Sequence, residues 1–388
     1  MLLLLSVAEL LGMSLWFTAS AVSGDMGARW GLTAGEIAWL TTSVSLGFVA
    51  GTALSAVLNL ADVVASRVYF AVAALLAASA NALLVLASGF WVAVVLRFMT
   101  GAFLAGVYPP AMKMVATWFR SARGLAIGTI VGALAVGKAT PYLLKILPDA
   151  RAQTVILGAS IGAAAAALMI AVLYRDGPFA FPRRPFSWGL VGRVVRHAET
   201  RLATAGYLGH MWELYAMWTW IPAFLAVASQ ASGAGAAGRV DLTAFGAIAA
   251  GGLGCVWGGW MADRIGREAL VNGAMAASGC CALGIGFLLG ADFRVVAAVA
   301  LVWGFFVVAD SAQFSALVTE VAPPEGVGTA LTLQTSVGFL LTTVTIQAVP
   351  WLSGLVGWRW TFPVLALGPA AGITAIRRLR RMRVAPAG

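Results

Sequence analysis

Residues 8–16 read AELLGMSLW and residues 212–220 read WELYAMWTW, so Glu9, Leu10, Met13 and Trp16 stand opposite Glu213, Leu214, Met217 and Trp220. Both segments lie inside long apolar runs. General apolar composition does not account for a glutamate matched in both, because an ionisable group at bilayer depth costs about 2.5–3.5 kcal/mol or more. A second pair, LNLADVVASRVY at 58–69 and WMADRIGREALV at 260–271, follows the second apolar run of each copy. The chain therefore reads as two related halves.

Working outward, 61% of the 388 residues are hydrophobic and 10% charged, with a mean hydropathy of +0.91. A soluble domain carries about 25% charged residues. Apolar runs punctuated by turns and charges predict twelve spans near 1–22, 36–58, 68–88, 91–117, 124–147, 152–174, 202–228, 236–262, 269–290, 294–319, 327–352 and 357–377. Each is long enough for the ~20 helical residues that cross ~30 Å of hydrocarbon. In lipid such spans must be helices, since unpaired backbone groups there cost several kcal/mol. The first run lacks a basic leader and carries Glu9, so it reads as a retained span rather than a signal peptide. The expected division is a six-helix half at 1–174, a basic linker at 175–201, a second half at 202–377 and a basic tail at 378–388.

The net charge of +10 is explained by topology. With a cytoplasmic N-terminus, 16 of the 25 Lys and Arg fall on the cytoplasmic side, 6 opposite and 3 within spans. By the positive-inside rule both termini and the linker are expected in the cytoplasm of a multi-pass inner-membrane protein. The basic residues come in short clusters between apolar spans, which excludes a nucleic-acid surface. Cys255, Cys280 and Cys281 lie within apolar helices and read as packing thiols. No HExxH, GxSxG or phosphate-cradling loop is present, so neither an intramembrane enzyme nor ATP-driven transport is expected, and no cofactor or metal.

The segment GGWMADRIGRE at 258–268, with Gly259, Asp263, Arg264, Gly266 and Arg267, resembles the cytoplasmic loop motif G-x-x-x-D-R-x-G-R of the major facilitator superfamily. RFMTGAFLAG in the fourth span, WFRSARGLAIG leading into the fifth, and GKATP later in the fifth extend the resemblance. The copy between the second and third spans keeps Asp62 and Arg67 but has lost its glycines. The resemblance implies an all-α membrane protein with twelve transmembrane helices in two pseudo-symmetric six-helix bundles. It also implies a gate built from Asp263, Arg264, Arg267 and Asp62, with Asp263 meeting the start of the fifth helix near Arg120 and Arg123. An aspartate at such a helix start would be held by arginines and by the helix dipole. Gly124, Gly128 and Gly132, and likewise Gly254 and Gly258, recur at four-residue spacing and offer faces for close helix approach.

Seven ionisable residues fall within spans: Glu9, Arg97, Lys113, Lys138, His210, Glu213 and Asp310. Six belong to the first, fourth, seventh and tenth helices, which line the central cavity in proteins that this one resembles. His210 and Glu213 are spaced i,i+3 and are expected to meet and to handle protons, with Asp310 and Glu9 as further candidates. Arg97, Lys113 and Lys138 put positive charge in the first half, which favours an anionic substrate, with Tyr108, Tyr207, Tyr215 and Trp218 placed to stack on it. The expected function is secondary active transport by alternating access, as proton symport of a small organic anion by a monomer. Proton-coupled efflux of an amphipathic or cationic compound, and a non-transporting membrane receptor or scaffold, stay open as alternatives.

Overall fold

The computed structural model describes residues 1–119, 123–148, 150–179, 186–233 and 237–384, and every regular element among them is helical. The first half comprises α1 (Leu2–Met13), α2 (Ala34–Val57), α3 (Ser66–Ala82), α4 (Phe90–Leu104, resumed as Tyr108–Ala116), α5 (Arg123–Leu144) and α6 (Ala152–Leu173). The second comprises α7 (Ala198–Ala231), α8 (Ala237–Ile265), α9 (Arg267–Gly284), α10 (Phe293–Ala309, resumed as Ser311–Val321), α11 (Val327–Val356) and α12 (Leu367–Val384). Each of the twelve expected spans falls on one of these helices. Among the described residues nine helices are long and apolar enough to cross a membrane, namely α2–α6 and α8–α11. Of the other three, α1 is short, α7 carries buried charge, and α12 ends in arginines.

Local chemistry sets the helix limits. Thr33 and Glu36 form a capping box at the start of α2, with Thr33 N–H donating to Glu36 Oε2 at 2.8 Å. Asp292 caps α10 by accepting from Arg294 N–H at 2.8 Å. The glycine of the DRxGR motif, Gly266, has φ +86° between α8 and α9, a conformation that side chains with a Cβ rarely adopt.

One expected span departs from a single helix. The first span is not one helix over 1–22 but breaks after Met13 and resumes as short helices Thr18–Ala21 and Ser23–Trp30. Within the expected linker at 175–201 lies a helix, Trp188–Arg196, whose Arg193 pairs with Glu325 at 2.5 Å.

Within the first half α1 packs on α5 and α6, α2 on α4, and α3 on α6. Within the second α7 packs on α11 and α12, and α8 on α10. The halves meet along two seams, α5 against α8 and α2 against α11. In the α5–α8 seam a Cβ on Gly132 would stand 2.8 Å from the Gly252 carbonyl oxygen, and one on Gly128 3.1 Å from that of Cys255. Only glycines allow backbones this close. Gly254 and Gly258 instead face Phe305 and Ala309 of α10 within their own half.

Candidate functional site

The break in the first helix releases backbone carbonyls inside the protein, and a buried carbonyl must find a donor. Arg97 supplies it. Its Nη1 donates to Leu15 O at 3.0 Å and to Asn81 Oδ1 at 2.9 Å, its Nη2 to Trp16 O, and its Nε to Leu40 O at 3.3 Å. Asn81 passes the tie on by donating to Ile156 O at 3.2 Å and Ser160 Oγ at 3.0 Å. Arg97 was expected to bind substrate. Its guanidinium is instead committed to α1, α2 and α3, and it does not line the central cavity.

That cavity lies between the halves, at the helix breaks. Trp16 follows the break in the first helix, Tyr108 restarts α4 where Pro109 and Pro110 interrupt it, and Ser311 restarts α10. The cavity is small, about 60 Å³, room for a few waters at about 10–15 Å³ each. Among the described residues Lys138 of α5 is its one charged lining residue, and no carboxylate lines it. The ammonium donates to the Tyr215 hydroxyl and lies 4.0, 4.5 and 5.3 Å from the ring centroids of Trp16, Tyr215 and Trp218. Rings at that range attract a cation electrostatically, and more so when water is excluded. Phe48 and Phe339 close the cluster, 4.7 Å apart between centroids and each near Trp16. The ring layer thus takes Trp16 and Phe48 from one half and Tyr215, Trp218 and Phe339 from the other.

Of the expected substrate residues, Lys138, Tyr108, Tyr207, Tyr215 and Trp218 line this cavity. Lys113, half-buried further along α4, does not. Trp16, Phe48 and Phe339 were missed as site residues, although Trp16 was visible as a position matched between the halves.

The acids lie behind the cavity wall. Glu9 is fully buried, its carboxylate oxygens have no hydrogen-bond partner, and Lys138 is the charge acting on it. Its counterpart Glu213 accepts from Ser278 Oγ and Trp303 Nε1, each at 2.7 Å. His210 does not pair with Glu213 as expected; its Nδ1 is 2.9 Å from Asp310 Oδ1. Spacing i,i+3 allows two side chains to meet, but α10 offers His210 a carboxylate, while α9 and α10 offer Glu213 two donors.

Of the expected gate, Asp263 reaches the other half: both carboxylate oxygens lie 4.0 Å from where a Cβ on Gly124 would stand, at the N-terminal turn of α5. Negative charge is favourable there. Arg264 stacks on Trp260 at 3.4 Å, and Arg267 pairs with Glu320 at 2.6 Å and Gln313 at 2.8 Å, all within the second half. The side chains of Asp62, Arg120 and Arg123 lie outside the described residues.

A second cavity of about 200 Å³, also between the halves, is lined by Tyr142, Thr219, Trp220 and an inter-half pair, Lys145 and Asp241, 3.4 Å apart. Along α7 the first cavity is lined as far as Trp218 and the second from Thr219 onward, so the ring layer separates them.

The family model described as Major Facilitator Superfamily matches residues 4–346. Two solved structures of a bacterial homologue of the human lysosomal transporter Spinster superpose over 100% of this chain and 98% of their own. The inward-facing, occupied form gives a TM-score of 0.73 at 11% identity, and the inward-facing, unoccupied form 0.76 at 12%. At these identities the likeness shows the fold. No curated protein matches the chain.

Proposed function

The chain belongs to the Major Facilitator Superfamily, and from that premise we propose that it moves a small organic anion across the inner membrane with a proton, by alternating access. It is a multi-pass membrane transporter, not an enzyme. The observation that carries the anion is Lys138, a buried cation lining the inter-half cavity with no carboxylate among the described lining residues, its one acidic neighbour Glu9 lying behind the wall. A site with one fixed charge and apolar walls favours a ligand of opposite sign, since an unpaired buried charge is costly.

The same lysine links anion to proton. Lys138 has one charge to divide between a bound anion and the carboxylate of Glu9, which has no other partner. An anion on Lys138 leaves Glu9 to a proton, and departure of the anion returns Lys138 to Glu9, so the two cross together. Glu213 and the His210–Asp310 pair, also outside the cavity lining, serve as relay groups in this scheme. Rocking of the halves about the α5–α8 and α2–α11 seams then exposes the cavity to each side. Both termini face the cytoplasm, following the arginine bias of the loops.

The second reading, efflux of a cation, rests on the rings around Lys138, which would accept an ammonium group in its place. Proteoliposomes offered labelled monocarboxylates and labelled quaternary ammonium ions under an imposed pH gradient separate the two. Gradient-driven accumulation of a carboxylate, lost in Lys138→Gln, is the expected result. Accumulation of the cation alone, or carboxylate flux indifferent to the gradient, contradicts it.

A further inference from the structure

We propose that the transported anion is a monocarboxylate on a flat aromatic body, with its carboxylate held by Lys138 and by the indole N–H groups of Trp16 and Trp218. This rests on the anion reading above and narrows it to a substrate class.

Charge sets the first restriction. Among the described residues Lys138 is the one charged residue on the cavity wall, so a second carboxylate on the ligand would be desolvated there with no counter-charge. Dicarboxylates and tricarboxylates are disfavoured on that ground.

Unsatisfied polar atoms set the second. Trp16 and Trp218 both line the cavity and are essentially fully buried, and the Nε1–H of each has no hydrogen-bond partner. Buried polar groups are paired in the great majority of cases, so two unpaired indole donors on residues of one cavity wall are donors that a ligand rearranging this wall would engage. Among the described lining residues, the buried side-chain atoms left without a partner are these two donors and no acceptor. An indole nitrogen can only donate, as can an ammonium. The complementary group is acceptor-only with several lone pairs, which describes an ionised carboxylate. Charge-assisted bonds to such a group are the strong ones.

The walls set the third. Beyond the charged group the ligand meets the rings of Phe48, Tyr108, Tyr207, Tyr215 and Phe339, with the tyrosine hydroxyls and those of Ser311, Ser315 and Thr335 at the same wall. Five such rings on one small wall favour offset or edge contact with another ring over contact with a hydrated polyol. The separation of charge from ring fits an arene carboxylate. In the present conformation Lys138 rests among the rings, and the ligand's arrival would draw its ammonium onto the carboxylate.

The test uses the purified full-length chain, with calorimetric titration and thermal shift, and four probes: benzoate, succinate, gluconate and benzylammonium. Benzoate is expected to bind and raise the melting temperature, at least tenfold more tightly than succinate or gluconate. Trp16→Phe and Trp218→Phe, which keep a ring but delete the N–H, are each expected to weaken benzoate about ten- to a hundredfold, as loss of one hydrogen bond to a charged group would. Lys138→Gln should abolish binding and Lys138→Arg should keep part of it. If the glutamine variant fails to fold, the two phenylalanine variants carry the test. Succinate or gluconate binding as tightly as benzoate overturns the aromatic inference and leaves the anion reading standing. Benzylammonium binding with no carboxylate bound overturns both. Absence of benzoate binding at millimolar concentration, or indifference to both N–H deletions, also overturns the inference.

Discussion

Arg97 and Lys138 are both fully buried cations in a chain with few of them, yet their surroundings give them different work. Arg97 is enclosed by acceptors it satisfies, whereas Lys138 faces rings and a cavity. Replacing Arg97 with methionine would strand the carbonyl of Trp16 and Asn81 Oδ1, while Leu15 O keeps Thr18 N–H and Leu40 O its place inside α2. At about 1–3 kcal/mol per stranded buried group, the loss of stability reaches several kcal/mol. A large fall in melting temperature is therefore expected, with benzoate affinity of the surviving folded protein within about twofold of wild type; a selective loss of affinity would return Arg97 to the binding site. Glu9→Gln removes the acid that competes for Lys138. Anion exchange should persist in that variant while stimulation by a pH gradient disappears, and retained stimulation would move the proton to Glu213 or to His210 and Asp310. The identities of the buried charges were legible in the sequence because polar residues at bilayer depth stand out. Their partners were not: Arg97 answers a helix break, Glu213 answers Ser278 and Trp303, and His210 answers Asp310, each a contact made across tertiary space.

Helix positions were readable from hydropathy, since every expected span falls on a helix, but the interruptions were not. The break after Met13 follows Gly12, a single weak signal in an otherwise apolar run, and the carbonyls beyond it are taken up by Arg97 of α4. The break before Tyr108 does carry its signal, in Pro109 and Pro110. Glycine spacing marked smooth faces correctly without saying what each would touch. Gly128 and Gly132 meet the other half, whereas Gly254 and Gly258 meet α10 of their own. This distinction gives a prediction. Gly132→Val should push α5 from α8 and favour the conformation in which that seam is open. In a background with the three native cysteines replaced by alanine and Val256→Cys introduced, at a position whose Cα lies 3.9 Å from where a Cβ on Gly128 would stand across the seam, maleimide labelling should rise severalfold. Gly254→Ala, which crowds the Phe305 carbonyl within one half, should lower the melting temperature without that rise. Equal labelling in both variants would mean that the seam does not open.

The whole molecule is two bundles held together along their length by glycine seams, a ring layer, and charges at or beyond the ends of the cavities. On one side Asp263 sits at the start of α5; on the other Lys145 pairs with Asp241, and Gln347 Nε2 donates to Thr42 Oγ1 at 3.2 Å. With cavities on both sides of a thin aromatic layer, modest parting of the halves at either end would open a path to Lys138. Transport then requires that the Lys145–Asp241 contact break and reform in each cycle. The direct measurement is flux through a cysteine-free protein bearing Lys145→Cys and Asp241→Cys, joined by a short bifunctional thiol reagent and assayed in proteoliposomes with labelled benzoate. Flux should fall to the level of empty vesicles when the bridge forms and return on its cleavage, while each single-cysteine variant treated alike stays active. Undiminished flux with the bridge fully formed would contradict alternating access between these two halves.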